Sequence, residues 1–588
     1  MPNLLATSFE GTLAPSLDLR CLAPGNKLPD GWGLGYYPGS EPSAQVLKEH
    51  APPPGGSIHS ELVKAWGHLE SPLFLLHIRN AKWGAISDAN TQPFCRSYGG
   101  RDWMFGHSGS LRRALPPPPE IHLAPVGSTD SELVFCRLLS WVQAAGWQRL
   151  GEVDLERLRD WLEEINSFGP LTLFFTDGQD LCVYADAQSA TGAWLWRVKP
   201  PYDRLALGDD DVEMDLTKRG AKGHKGVIIC TDPIESRTGM KADWTPVPPG
   251  ALVVVRQGAV RAEVLPPNVP RGAGQDAVAA ELEARARLRR PNVAKSRVMD
   301  VHHRTVYRYN RAVERSTHIL RMTPAQDRLQ SVLSHELTMS AGTLREEYED
   351  VFGNRVRRAH VETPYTELVI EARSRVELKD TDPLGSHTPH IRTTFPLLWM
   401  PWQQVMLQPF LQPPALPDTE LEELLEYAMS FARRNDFDLL DTLLDLNFTL
   451  FKEYRYAQGV TTVHTTPFQV YAARHGVCQD FTNLFVCLAR LLGVPARYTC
   501  GYIYTGPKHA NTQQAEASHA WVQAYLPERG WKGFDPTNGV ITQTDHVRLA
   551  VGRSYSDAAP TSGTIYVGGG MERLEALVRC EPVEEPSR

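Results

Sequence analysis

Gly476-Val477-Cys478-Gln479-Asp480 runs directly into Phe481-Thr482-Asn483-Leu484-Phe485-Val486-Cys487-Leu488-Ala489-Arg490-Leu491-Leu492. Phe481, Leu484, Phe485, Leu488, Leu491 and Leu492 recur at helical spacing, so a helix should start at Cys478, and Gly493 followed by Pro495 should end it. A thiol at a helix start meets unpaired backbone N–H groups and the positive end of the helix dipole, and both favour the nucleophilic thiolate. Such a nucleophile needs a base. Ser518-His519-Ala520-Trp521 opens the strand-like run His519–Leu526, and Pro527-Glu528-Arg529-Gly530 turns it into Trp531–Asp535. A hairpin of this kind brings His519 and Asp535 to neighbouring positions, where the carboxylate can fix the imidazole tautomer. A helix packed on that sheet can present Cys478 to both. This is the Cys–His–Asp logic of nucleophilic acyl transfer. Taken singly, Cys478 reads as a small buried residue, His519 as a core histidine and Asp535 as a turn former. In that order, and on those elements, the three together outweigh the plainer readings.

Upstream of this stretch the period changes. Asp418 or Thr419 is expected to cap a helix whose Leu421, Leu424, Leu425, Ala428 and Phe431 share one face. Before it, Val301, His303, Thr305, Tyr307 and Tyr309 alternate, and Val356 to Leu378 is rich in β-branched and aromatic residues, with Gly353-Asn354 as a hairpin turn. A small antiparallel β domain is therefore expected over 298–380. His302 and His303 are adjacent on a strand, point to opposite faces and cannot share a metal ion. Earlier still, residues 266–297 combine Pro and Gly with an Ala/Arg/Glu stretch and read as a linker. Pro52–Pro54 and Pro116–Pro119 read as rigid surface loops inside the preceding unit.

With the motifs in place, residues 467–545 resemble the transglutaminase-like superfamily, papain-like in its core, in its bacterial branch of cysteine peptidases or amidases. Arg474-His-Gly-Val-Cys-Gln-Asp-Phe, Leu491-Leu-Gly-Val-Pro-Ala-Arg-Tyr, Ser518-His-Ala-Trp-Val and Gly530-Trp-Lys-Gly-Phe-Asp-Pro-Thr-Asn carry the resemblance. His303-Arg-Thr-Val-Tyr-Arg-Tyr and Glu349-Asp-Val-Phe-Gly-Asn extend it to the β domain that precedes the core in that branch, so it covers about 298–580. It implies the nucleophile at Cys478, the base at His519 and the orienting acid at Asp535. Thr482-Asn483 departs from the Ala-His of the branch, outside the triad.

The first half resembles a second family. Asp30-Gly-Trp-Gly-Leu-Gly-Tyr-Tyr, His77-Ile-Arg79, Asn90-Thr-Gln-Pro-Phe, His107-Ser108-Gly109 and Ser128-Thr-Asp130-Ser-Glu are similar to the class II glutamine amidotransferase domain. That resemblance implies an αββα sandwich over about 1–260 whose catalytic cysteine is the mature N-terminal residue. Here Pro2 holds the nucleophile's place and Ser108 that of the oxyanion-hole asparagine, so the domain is expected to be inactive. Arg79 matches the residue that holds glutamine's α-carboxylate and Asp130 the one that holds its α-amine, with Gly109 beside them. A guanidinium fork and a carboxylate suit those charges, although both could equally make structural ion pairs.

The expected architecture is therefore α+β and multidomain: an αββα sandwich over 1–265, a linker over 266–297, a small antiparallel β domain over 298–380 and a papain-like transglutaminase core over 381–588. Composition narrows the partners. Lys+Arg 61 against Asp+Glu 69 gives a net charge of −8, which offers no basic field for nucleic acid or an anionic membrane. Apolar runs such as Leu171–Phe175 are too short to cross a bilayer. The start Met-Pro-Asn-Leu-Leu has neither a basic region nor an apolar signal, so a cytoplasmic location is expected. Nine scattered cysteines with no C-x-x-C pair suggest neither a disulfide framework nor a zinc site, and no cofactor or metal is implied. Gly31-x-Gly33-x-Gly35 is followed by Tyr36-Tyr37-Pro38 and not by a helix, so it is no dinucleotide fingerprint. The expected substrate is a peptide or carboxamide, with free glutamine or a γ-glutamyl compound as a ligand of the first half. Hydrolysis and transamidation remain open, as does a silent scaffold built from two enzyme-derived folds.

Overall fold

A computed structural model describes residues 3–583, except 66, 68, 82–83, 117–122, 190–191, 218–222, 268–295, 380–391, 505–517 and 528. The chain divides into two compact units, Met1–Leu282 and Glu283–Arg588. The linker expected over 266–297 falls almost wholly outside the described residues.

The first unit is built on two antiparallel sheets. In one, Leu4–Leu13 is central, flanked by Gly226–Cys230 and Ser71–Arg79. In the other, Leu171–Thr176 lies between Arg101–Gly109 and Leu181–Tyr184. Alternation along each strand splits its side chains between two cores. Leu4 and Ala6 join Leu73 and Leu75 against Phe174, Leu181 and Val183 between the sheets, while Leu5 and Phe9 face outward into a second cluster. Leu173 and Phe175 likewise point away, onto Val134, Phe135, Leu138, Leu158 and Leu162 of the helices Asp130–Ala144 and Leu155–Asn166. Strands buried on both faces explain why Leu171–Phe175 reads as a continuous apolar run. The opposite outer face differs from the expected helical layer. It carries a four-stranded sheet of short strands, including Ser16–Asp18 and Ala206–Gly208, together with the eight-residue helix Ile58–Ala65. Within that sheet the Asp209 carboxylate accepts the N–H groups of Asp211 and Val212 and closes the turn that joins Ala206–Gly208 to Glu213–Asp215.

The second unit begins with the strand Ser296–Leu320, 25 residues long, which two different pairs of partners flank. Its first half pairs with Tyr365–Lys379 and Glu572–Pro582, its second with Arg355–Val361 and Thr561–Gly568. Thr343–Glu349 and Arg355–Val361 form the hairpin expected at Gly353-Asn354. Asn354 does more than turn the chain: its buried amide donates to the Val551 carbonyl and accepts from the Val551 N–H, both at 2.8 Å. Residues 561–582 were assigned by sequence to the core, yet they return to complete the β domain. Thr561–Gly568 is mostly exposed and lacks apolar alternation, whereas Glu572–Pro582 alternates at Leu574, Ala576, Val578 and Cys580 but pairs with a strand more than 260 residues earlier, a partner that local pattern does not name.

The remaining core sets the helices Asp418–Arg434, Leu439–Glu453, Pro467–Ala473 and Cys478–Leu491 against a five-stranded sheet. Its strand order is Val540–Ile541, Gly530–Asp535, His519–Leu526, Ala496–Ile503 and His546–Gly552. Leu484, Phe485 and Leu488 of the helix that starts at Cys478 are fully buried against Val522, Ala524 and Phe534 of that sheet. The helix Asp418–Arg434 has Pro417 and not Asp418 or Thr419 at its N-cap, with no side-chain cap. Asp418 and Glu420 instead sit in the first turn, where their charges favour the helix dipole. Among the described residues, no helix is long and apolar enough to cross a membrane.

Candidate active site

Three local devices fix the thiol. Arg474, in the left-handed conformation at φ 55, donates to the hydroxyls of Tyr427 and Tyr454 at 2.8 and 2.9 Å. Its guanidinium lies 4.8–4.9 Å from the ring centroids of Tyr427, Tyr454 and Tyr471, so the chain four residues before Cys478 is clamped. Gly476 then lets the backbone pass: a Cβ there would sit 2.8 Å from the Asp480 side chain. Asp480 reaches back to accept the Val477 N–H at 2.8 Å and the Thr461 hydroxyl at 2.6 Å. The helix starts at Cys478, whose half-buried thiol packs against the cluster of Tyr498, Cys500 and Ala520 on the sheet.

The imidazole comes from that sheet. Val522 stands opposite Phe534, which puts Asp535 just past the paired stretch and beside His519. His519 Nε2 lies 2.8 Å from Asp535 Oδ2, with both side chains essentially inaccessible. The Cys478 side chain lies near enough to the same imidazole to favour its charged form. Burial works against a charged His519, but the Asp535 charge and hydrogen bond overcome it, and with the Cys478 contribution raise the imidazole to about 10. Burial would push Asp535 up. The His519 charge and bond, with help from His546, hold it well below the usual carboxylate range.

The structure thus brings together Cys478, His519 and Asp535 and adds groups that sequence reading missed. Asn538 donates its Nδ2 to Asp535 Oδ2 at 2.7 Å, and the N–H groups of Thr537 and Asn538 cap Oδ1 at 2.9 and 3.2 Å. His546 places Nε2 3.1 Å from Asp535 Oδ2 and Nδ1 2.7 Å from Asp545 Oδ1. The rings of Trp521, His519 and His546 form a triangle, with the Trp521 centroid 6.0 Å from His519 and 5.1 Å from His546 and the two imidazoles 6.1 Å apart. The Asp545-His546 dipeptide is a visible acid–imidazole pair, but only the strand order, with His546–Gly552 next to Ala496–Ile503, brings it behind Asp535. Ligand atoms of His519, Asp535 and His546 fall within 4.8 Å of one another. Each is already spent on a hydrogen bond inside a closed, buried cluster, which reads as a hydrogen-bonded site and not a metal centre.

The first unit has its own cavity, of about 330 Å³, and Arg79, Ser108, Gly109 and Asp130 all line it. Arg79 ends the strand Ser71–Arg79 and Asp130 starts the helix Asp130–Ala144, so both sit where elements open onto the cavity. Asp130 accepts the N–H groups of Leu111 and Ser131 at 2.7 and 2.9 Å, and Arg79 donates to the Ala85 carbonyl at 3.1 Å. Gly109, at φ 152, runs so close to Pro170 that a Cβ would lie 2.1 Å from its carbonyl oxygen. Burial pushes the His77 imidazole down to about 3, with His107 and Arg79 adding to it, so it stays neutral on the cavity wall. Pro2 lies outside the described residues; Asn3, next to it, lines the cavity and donates its N–H to Thr231 Oγ1 at 2.9 Å.

Known families match the two units separately. The family of class-II glutamine amidotransferases matches residues 1–277. The bacterial transglutaminase-like N-terminal region matches 299–377, and the transglutaminase-like superfamily matches 431–536. An uncharacterized protein of Mycobacterium tuberculosis is 30% identical over 303 residues, 48% of this chain and 92% of its own length. An uncharacterized protein of Methanocaldococcus jannaschii is 32% identical over 232 residues, 39% of this chain and 62% of its own length. Among solved structures, a glutamine aminotransferase class-II domain protein of Silicibacter pomeroyi aligns at 20% identity and TM-score 0.26, covering 44% of this chain and 98% of that one. The periplasmic domain of TgpA from Pseudomonas aeruginosa aligns at 15% identity and TM-score 0.22, covering 44% of this chain and 94% of that one. Both halves thus have family relatives, and the chain is a fusion of a class-II glutamine-amidotransferase-like domain with a transglutaminase-like domain.

Proposed function

We propose that the transglutaminase-like half is a thiol hydrolase or acyltransferase acting on a peptide or carboxamide, working through Cys478, His519 and Asp535. The observation that carries this reading is the buried imidazole of His519, held 2.8 Å from the Asp535 carboxylate and within the influence of a thiol that starts a helix. In the proposed reaction the Cys478 thiolate attacks the carbonyl carbon, forming the C–S bond. Backbone N–H groups at the very start of the helix, ahead of those of Asp480 and Phe481 that donate to the Val477 carbonyl, suit the developing oxyanion. His519 gives its proton to the amine as the C–N bond breaks, leaving a thioester. Water then yields a proton to His519 and attacks, the C–S bond breaks, and the thiolate returns with a carboxylic acid as product. An acceptor amine in place of water gives a new amide.

The amidotransferase-like half serves in this reading as an amino-acid-binding domain without hydrolytic activity. Arg79 and Asp130 on one cavity support a ligand with an α-carboxylate and an α-ammonium, glutamine or a γ-glutamyl compound. Pro2 and Ser108, where the family carries cysteine and asparagine, support the loss of chemistry. The same two positions favour the second reading, in which this half is purely a scaffold. The test is turnover on a peptide and γ-glutamyl amide library by the full chain beside Cys478→Ala, with ammonia release measured separately.

A further inference from the structure

We propose that His546 is a positioning residue of the thiol site: with Asp545 it forms a second acid–imidazole pair that grips the same Asp535 oxygen as His519, holding that carboxylate and taking a share of its charge. The proposal rests on the triad reading above and adds to it a group beyond the residues the core family matches, which end at 536.

The geometry is a row of four groups. Asp545 Oδ1 lies 2.7 Å from His546 Nδ1, His546 Nε2 lies 3.1 Å from Asp535 Oδ2, and Asp535 Oδ2 lies 2.8 Å from His519 Nε2. An imidazole with a carboxylate on each nitrogen donates from both only when it is charged. Burial opposes that charge in His546. Asp545 and the bonds to both carboxylates overcome it and raise the ring to about 9.

The neighbours of His546 are consistent with this. Trp521 packs edge-on at 5.1 Å from one side. Lys379, Gln330 and Arg548 line a cavity of about 60 Å³ that His546 also borders, and Arg548 is paired with Asp327. Cys580, its thiol pushed up to about 12 by burial, lies in the electrostatic range of Asp545. Asp535 and Asp545 are therefore the anions that hold His546 charged, and His519 is the cation that competes for Asp535.

The mechanistic consequence concerns His519. A lone buried carboxylate would make that imidazolium too reluctant to release its proton to the leaving amine, since acid–base catalysts work best near the operating pH. A second cation on the same oxygen weakens that hold. It also blocks rotation of the carboxylate, because Oδ1 is capped by the backbone and Oδ2 by both rings.

The test reads the pair without needing the substrate: the rate of iodoacetamide alkylation of Cys478 against pH, followed by peptide mass spectrometry on the full chain. Wild type should lose the thiolate–imidazolium pair over a broad alkaline limb, because His519 and His546 share protons through Asp535. His546→Gln keeps a donor but no charge. Its limb should narrow to one proton and move upward by on the order of one pH unit, as expected for removing a neighbouring cation. Asp545→Asn keeps an acceptor for His546 and removes only the charge, so it should shift the limb in the same direction, with circular dichroism confirming that the variant is folded. Unselective alkylation of Cys478 in wild type would overturn the triad reading itself. Selective alkylation with unchanged limbs in both variants would overturn the role of His546 alone.

Discussion

His519 and Asp535 stand on adjacent antiparallel strands with Nε2 2.8 Å from Oδ2, and neither side chain reaches solvent. An ion pair closed off in this way is stabilised by its partner charge and opposed by desolvation, so its two ends titrate far from their ordinary values.

Stability should therefore depend on pH in two windows. His519 and His546, raised to about 10 and about 9, contribute stability that is complete below about 6.5 and lost as pH rises through those values. Asp535, held below its ordinary range, contributes stability present above about pH 4 and lost as pH falls. Thermal melts of wild type across pH 3–10 (on the order of one unit per step) should fall at both ends. Asp535→Asn should flatten both slopes, and an alkaline slope unchanged in that variant would place its origin elsewhere.

Asp535→Asn should also lower turnover by up to about 10⁴-fold, by leaving His519 in the wrong tautomer. The chain should stay folded, because an amide oxygen can still accept the Thr537 and Asn538 N–H groups. Circular dichroism beside kinetics separates the two effects; loss of fold would make Asp535 structural.

Part of this site is legible in the sequence. Phe481, Leu484, Phe485 and Leu488 set the helix and Gly493 its end, because local spacing and backbone freedom decide both. Arg79, Gly109 and Asp130 were named on family motifs, and they line one cavity. What stayed hidden depends on long-range pairing. His546 meets Asp535 through strand order alone, and Thr561–Gly568 returns to Ser316 and its neighbours across more than half the second unit with little apolar alternation to announce it. The outer layer of the first unit was misread for the same reason, since short strands such as Ala206–Gly208 carry too few residues to set a period.

Asp480→Ala should weaken the start of the helix Cys478–Leu491. It removes the acceptor of the Val477 N–H and of the Thr461 hydroxyl, a loss of about 1 kcal/mol by comparison with other helix caps. Urea denaturation of the variant should show that loss at an unchanged slope. Alkylation of Cys478 should slow as the helix start frays, and wild-type stability and labelling in the variant would remove Asp480 from the account.

In the first half, glutamine should bind the full chain carrying Cys478→Ala, with calorimetric heat that Arg79→Ala reduces at least about tenfold, the cost of losing a charge-assisted pair. Ammonia release that survives Cys478→Ala and disappears with Arg79→Ala would contradict the view that this half has lost its chemistry.

The central claim is that one thiol carries the reaction. Turnover of a peptide and γ-glutamyl amide library, measured for wild type and Cys478→Ala of the full chain at matched folded concentration, tests it most directly. Wild type should turn over at least one substrate class and Cys478→Ala none of it. Equal turnover by the two proteins would contradict it.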